Sequence, residues 1–190
     1  MKGNISQNGF YQSWVKICNQ NKIEFKNKWG GDFAEYTDMI LKNDNSITSQ
    51  LAKLLGLHVS HEYYSMDAIF YSDEDLVINN PKNKTWTKTD GGIWLTSFQI
   101  AFEHENRPFG IDGAYQEICH LLTLKANLKV LVTYCDKEYL DGFVADLNSA
   151  IPRNVLDNTP ILIIIGYEDA GEYIWRGYSI QGYLGVTEIH

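Results

Sequence analysis

Cysteine and proline are scarce in this chain, with three of the former and four of the latter among 190 residues. Cys18, Cys119 and Cys135 form no close-spaced pair, and each sits in an apolar context where a small buried thiol is expected. No disulfide framework is implied, which points to a reducing compartment. Long apolar runs are missing as well. The longest aliphatic stretch, Ile161 to Ile165, falls far short of the roughly 20 residues a membrane span needs. The opening residues contain no apolar segment of signal-peptide length, so the expectation is a soluble cytoplasmic protein with no membrane partner. Positive charge is also in deficit: the formal net charge is −8. That excludes a generic basic nucleic-acid coat, because lysine and arginine supply most non-specific affinity for phosphate. It leaves open a metal-dependent phosphodiesterase, in which divalent ions and a few local lysines offset the carboxylates. Gly-x-Ser-x-Gly, a phosphate-cradling glycine loop and a dinucleotide fingerprint are all absent, as are internal repeats and low-complexity segments.

What is present suffices for one domain over residues 1–190, since a chain of this length hides roughly 70% of its unfolded surface. Helical spacing of Phe10, Tyr11, Trp14, Val15 and Cys18 predicts a first helix from Asn8 to Ile23. Asp32 with Glu35 resembles a capping box before the stripe Phe33, Tyr36, Met39, Ile40. Ser46 or Thr48 caps a third helix with Leu51, Leu54 and Leu55 inward, ended by Gly56. These helices fill residues 1–57, and an α/β core fills 58–190. In the core, the aromatic run His61 to Tyr71 reads as one strand, Asn79 to Gly92 as a loop, and Ile93 to Glu105 as the next strand. A helix from Asp112 to Lys125, with Tyr115, Ile118, Cys119 and Leu122 inward, precedes Leu128 to Tyr134, a strand apolar on both faces and therefore central. Asp136 caps a further helix with Leu140, Phe143, Val144 and Leu147 inward. The apolar strand from Ile161 follows, and Tyr173 to Ile180 forms an antiparallel partner at the sheet edge. The expected class is α/β, a mixed sheet with helices on both faces.

Within this plan the stretch FQIAFEHEN, Phe98 to Asn106, stands out. Alternation along a strand puts Glu103 and Glu105 on one face, roughly 6 to 7 Å apart, and His104 on the other, apolar one. Paired carboxylates repel unless water, a proton or a cation relieves them. Asp67, inside a strand where aspartate is disfavoured, supplies a third acid. An acid in one strand, an acid pair in the next, then a helix and a buried strand resembles the PD-(D/E)xK, or restriction-endonuclease-like, phosphodiesterase superfamily. The resemblance spans roughly Asp32 to Tyr134. It implies that Asp67 and Glu103 hold Mg²⁺ or Mn²⁺, with Glu105 adding a ligand or activating water where the family's lysine belongs. Some members carry an acid or amide at that position. Others move the lysine to the following helix, for which Lys125 and Lys129 are the substitutes here. The implied activity is nucleic-acid cleavage, and the implied assembly a homodimer.

Several residues carry weaker readings. Glu35 and Glu62 are possible outer ligands, each more simply a helix-cap acid and an exposed strand acid. Glu117, one turn into the helix after the acid pair, fits a charged solvent face better than a site contact. His104 reads as a hydrogen-bonded core histidine. His58, His61 and Glu62 offer donors for zinc, but at loose spacing and with no cysteine or third histidine nearby. Lys82, Lys84 and Lys88 with Trp86 make a basic, aromatic loop suited to a phosphate backbone and a stacked base. The alternative to an enzyme is a catalytically inactive nuclease-like fold serving as a regulatory or protein-binding module. The missing lysine and the net charge favour that alternative.

Overall fold

The computed structural model describes residues 5–29, 31–42, 44–76, 94–106, 111–151, 160–181 and 185–190. Its centre is a seven-stranded sheet whose strands run in sequence order from one edge to the other. The strands are β1 (His58–Tyr63), β2 (Met66–Tyr71), β3 (Phe98–His104), β4 (Ala126–Tyr134), β5 (Ile161–Asp169), β6 (Glu172–Gln181) and β7 (Gly185–Ile189). β3, β4 and β5 are mutually parallel, and every other neighbouring pair is antiparallel. β4 is the middle strand, as its apolar residues on both faces require.

Alternation along the strands sends one set of side chains to each face, and each face is roofed by helices. Ile100, Phe102, Val130, Val132, Leu162 and Ile164 pack beneath the N-terminal helices α1 (Gln7–Gln20), α2 (Lys22–Lys28), α3 (Phe33–Leu41) and α4 (Ile47–Leu55). Phe102 is fully buried there among the rings of Phe10, Trp14 and Phe70. Ala101, Leu131, Ile161, Ile163 and Ile165 lie on the other face under α5 (Ile111–Thr123) and α6 (Leu140–Ala150). The fold is thus the expected α/β class with a mixed sheet flanked by helices. No helix among the described residues is long and apolar enough to cross a membrane.

Local chemistry explains several helix ends. Ser6, Asp32 and Ser46 each accept a backbone N–H in the first turn of a helix, and Gly56 closes α4 with a left-handed φ of 66°. Of the two capping candidates for α4, Ser46 takes the role and Thr48 sits in the helix, bonding the Ile40 carbonyl. Asp136 makes no side-chain cap; it precedes a 3₁₀ turn that leads into α6.

Several readings of the sequence need correction, among them the strand expected over Ile93 to Glu105, which is Phe98–His104. The run His61 to Tyr71 is not one strand but the end of a hairpin: Tyr64 and Ser65 turn the chain with φ of 48° and 67°. Left-handed residues pair well with strand twist, but here they lack the Asn-Gly signal that usually reveals them. The first helix ends at Gln20, and Lys22 onward forms a separate helix. β6 is not at the edge, because β7 pairs with its outer side. Leu54 and Cys119 are exposed: the inward stripe of α5 is Ala114, Ile118 and Leu121, and Cys119, one residue past Ile118, is rotated away from it.

Candidate metal centre

The site forms where β2 parts from β3. Their antiparallel register runs from Phe70 opposite Ile100 to Ala68 opposite Phe102 and stops there. Beyond that point side chains take over the ladder. The Asp67 backbone N–H donates to Glu103 Oε2 at 3.1 Å, and the His104 N–H donates to Asp67 Oδ2 at 2.7 Å. Both carboxylates lie on the face roofed by α5, because Asp67 shares parity with Ile69 and Glu103 with Ala101. Asp67 and Glu103 therefore meet on one side of the sheet, while the expected third ligand, Glu105, is not in the cluster of possible ligands.

The helix above supplies two more donors. Glu117 and His120 are three residues apart on α5, flanking its buried stripe, and so project together toward β3. His120 Nδ1 lies 3.1 Å from Glu117 Oε2 and 3.3 Å from Glu103 Oε1. One ligand atom from each of Glu103, Glu117 and His120 falls within 4.8 Å of the others, which is close enough to hold a metal ion. Two ligands at right angles around a dication at about 2.2 Å stand about 3.1 Å apart, a spacing the two observed separations match, as they also match the hydrogen bond and ion pair that His120 makes with the two acids.

Glu103 is the unusual member. Only 1% of it is exposed, and its Oε1 has no hydrogen-bond partner, since the nearby His120 ring nitrogen is aligned with Glu117 instead. A buried carboxylate oxygen without a donor is costly. Asp75 is just as deeply buried, 3% exposed, but receives hydrogen bonds from Ser72 N–H and Oγ, Ser97 Oγ and Gln99 Nε2. Burial raises its pKa, yet these donors outweigh that and hold it below the usual range. Asp75 is a satisfied structural acid; Glu103 Oε1 has no hydrogen bond, and the His120 ring lies 3.3 Å from it.

Electrostatics agree. Burial pushes Asp67 up to about 6, against the lowering effect of the His104 N–H, with Glu117 and Glu105 adding repulsion. Burial also drives Glu103 well above the usual carboxylate range, reinforced by Asp67 and Glu117. Carboxylates that resist ionisation together are suited to a divalent ion that neutralises them.

Glu105 follows β3, half-buried, and its carboxylate rests on the first turn of α5. A Cβ built on Gly113 would come within 2.5 Å of Glu105 Oε2, so only glycine leaves this carboxylate its place. Asn106 then ties the chain across to α3, donating to the Phe33 carbonyl and to Thr37 Oγ1.

The remaining expected residues are placed as follows. Lys125 is exposed just before β4, at the Phe98 end of β3. Five residues, about 17 Å of strand rise, separate that end from Glu103, so Lys125 is not at the site. Lys129 is fully buried, pairs with Ala101 and shares the site's face of the sheet, two residues short of the level of Glu103. Glu35 is exposed on α3, which covers the opposite face. Glu62 is exposed at a left-handed bend in β1 and lies outside the ligand cluster. Glu117 joins the cluster rather than a plain solvent face. His58 stacks on Tyr71 and contacts Asp73, whereas His61 contacts Thr48 on α4; the two histidines diverge, and no zinc site forms between them. His104 is the core histidine expected, with Nε2 2.9 Å from the Tyr134 hydroxyl; burial lowers its pKa to about 3. Lys82, Lys84, Trp86 and Lys88 lie outside the described residues. His120 is the residue that sequence reasoning missed; the signal was the Glu-x-x-His spacing on a helix facing an acid-bearing strand.

Comparison of the chain with known protein families, with curated proteins and with solved structures finds no match.

Proposed function

We propose that this chain is a metal-dependent, nuclease-like phosphodiesterase acting on nucleic acid, with a site made of Asp67, Glu103, Glu105, Glu117 and His120. The observation that carries the reading is the buried, unpartnered Oε1 of Glu103 beside Glu117 and His120. The order hairpin, acid-bearing strand, helix, buried central strand supports it, since the PD-(D/E)xK superfamily uses that order to bring an Asp and a Glu together. Glu103, Glu117 and His120 would hold the Mg²⁺ or Mn²⁺, with Asp67 beside them. The bound ion supplies Lewis-acid stabilisation of the phosphoryl oxygens and lowers the pKa of a water.

The chain's own groups do the rest. Asp67 and Glu103 are held by the backbone N–H groups they accept from in place of peptide carbonyls of the sheet ladder, which fixes their oxygens before any ligand arrives. Glu105, half-buried and at the position of the family's lysine, would accept the proton of a water attacking phosphorus as the P–O bond to the leaving group breaks. Lys129, on the same face, is the nearer of the two substitute lysines, and Lys125 drops out.

The test is cleavage of single- and double-stranded DNA and RNA by purified protein with Mg²⁺ or Mn²⁺. Cleavage abolished by Glu103→Gln is the expected result. Intact substrates under every condition defeat the enzymatic reading. The second reading, a regulatory or protein-binding module, is favoured by the acid at the lysine position and the net charge of −8; it expects no saturable metal binding. The mass of the protein in solution reads the pairing of chains that the resemblance implies.

A further inference from the structure

We infer that the ion held between β3 and α5 is a first-row transition dication bound partly through nitrogen, and that His120 selects it over Mg²⁺. The inference rests on the metal-dependent reading above and adds the identity of the ion.

Three observations carry it. The His120 ring presents Nδ1, not a hydrogen-bonding edge remote from the acids, at 3.1 and 3.3 Å from oxygens of Glu117 and Glu103, so an ion bridging the two carboxylates has the imidazole as its third donor. Glu103, 1% exposed, aims an unpartnered oxygen into the same space. His120 and Glu117 lie on one face of a helix whose stripe is buried against β3 and β4, so one rigid element carries both donors beside Glu103. Mg²⁺ takes oxygen ligands and keeps several waters, and gains little from an imidazole. Mn²⁺, Fe²⁺, Co²⁺ and Zn²⁺ accept nitrogen with rising affinity. Two carboxylates and one imidazole therefore discriminate by donor type, where an all-carboxylate site would not. Binding through Nδ1 leaves the ring proton on Nε2.

The test compares Mn²⁺ and Mg²⁺ on the full chain. Mn²⁺ binding is followed by electron paramagnetic resonance, with Mg²⁺ as competitor, for wild type and His120→Asn, whose amide oxygen falls near the place of Nδ1. Wild type is expected to prefer Mn²⁺ by at least about tenfold, and the variant to lose most of that preference while its Mg²⁺ affinity changes by less than about threefold. Pulsed resonance on the wild-type Mn²⁺ complex, which needs no variant, should show a directly bound nitrogen. Saturable binding with no nitrogen coupling and equal affinity for both ions overturns the inference and leaves the phosphodiesterase reading standing. No saturable binding of either ion removes both.

Discussion

Asp67→Asn should make the metal-free protein more stable at neutral pH, and the effect should disappear in acid. Asp67 has its pKa pushed up from 3.8 to about 6, chiefly by burial. A carboxyl that binds its proton more tightly folded than unfolded costs nothing below its unfolded value and its full penalty above its folded value. Asp67's contribution therefore lowers the stability of the metal-free protein as pH rises from about 4 to about 6 and stays constant above it. At about 1.4 kcal/mol per pH unit the penalty is about 3 kcal/mol. Asparagine keeps an oxygen to accept the His104 N–H and never ionises, so it escapes the penalty. Thermal unfolding in the presence of a chelator should show the variant higher by about 6 to 12 °C at pH 7.5 and equal to wild type near pH 3.5. Saturating Mn²⁺ should reverse the order, because the wild-type site gains binding energy that the variant partly lacks. A variant less stable than wild type at pH 7.5 in chelator, or a difference that does not vary with pH, would refute the claim that buried charge at this site opposes folding.

Other outcomes follow from single contacts. Gly166→Ala should destabilise by about 1 to 3 kcal/mol in urea unfolding, because a Cβ there would meet the Trp175 ring at 2.7 Å and the Tyr134 ring at 2.9 Å, both inside the core. Tyr134→Phe should cost about 1 to 3 kcal/mol by the same measurement: it strips the partner from His104 Nε2 in a ring whose Nδ1 already has none. Lys125→Ala should leave Mn²⁺ affinity, and the proposed metal-dependent cleavage, unchanged, since the lysine is exposed at the far end of β3; a loss of either would show that the site extends along the strand.

How much of this was legible in the sequence varied with how local the cause was. The middle position of β4 followed from apolar residues on both faces, and the meeting of Asp67 with Glu103 from strand parity and element order. The turn at Tyr64 and Ser65 was hidden because neither residue type signals a left-handed conformation, so a hairpin looked like one aromatic strand. On the sequence alone Glu117 reads as a solvent-face acid before a site contact, and His120 is missed, for a different reason. Helix periodicity tells which residues face inward, but not which strand residue lies beneath each one, and a charged residue beside a buried stripe looks the same whether it meets solvent or Glu103. Lys125 failed for lack of register: the parallel pairing of Phe98 with Ala126 sends the start of β4 to the wrong end of the sheet.

The reciprocal bonds between Asp67 and Glu103 have one more consequence. Each carboxylate is a rivet as well as a donor, standing in for a peptide carbonyl where two strands would otherwise come unfastened. Deleting either acid to alanine loosens the hairpin from the sheet together with whatever the acids hold. Only replacements that keep an acceptor oxygen in place, asparagine and glutamine, can separate a fault in chemistry from a fault in carpentry.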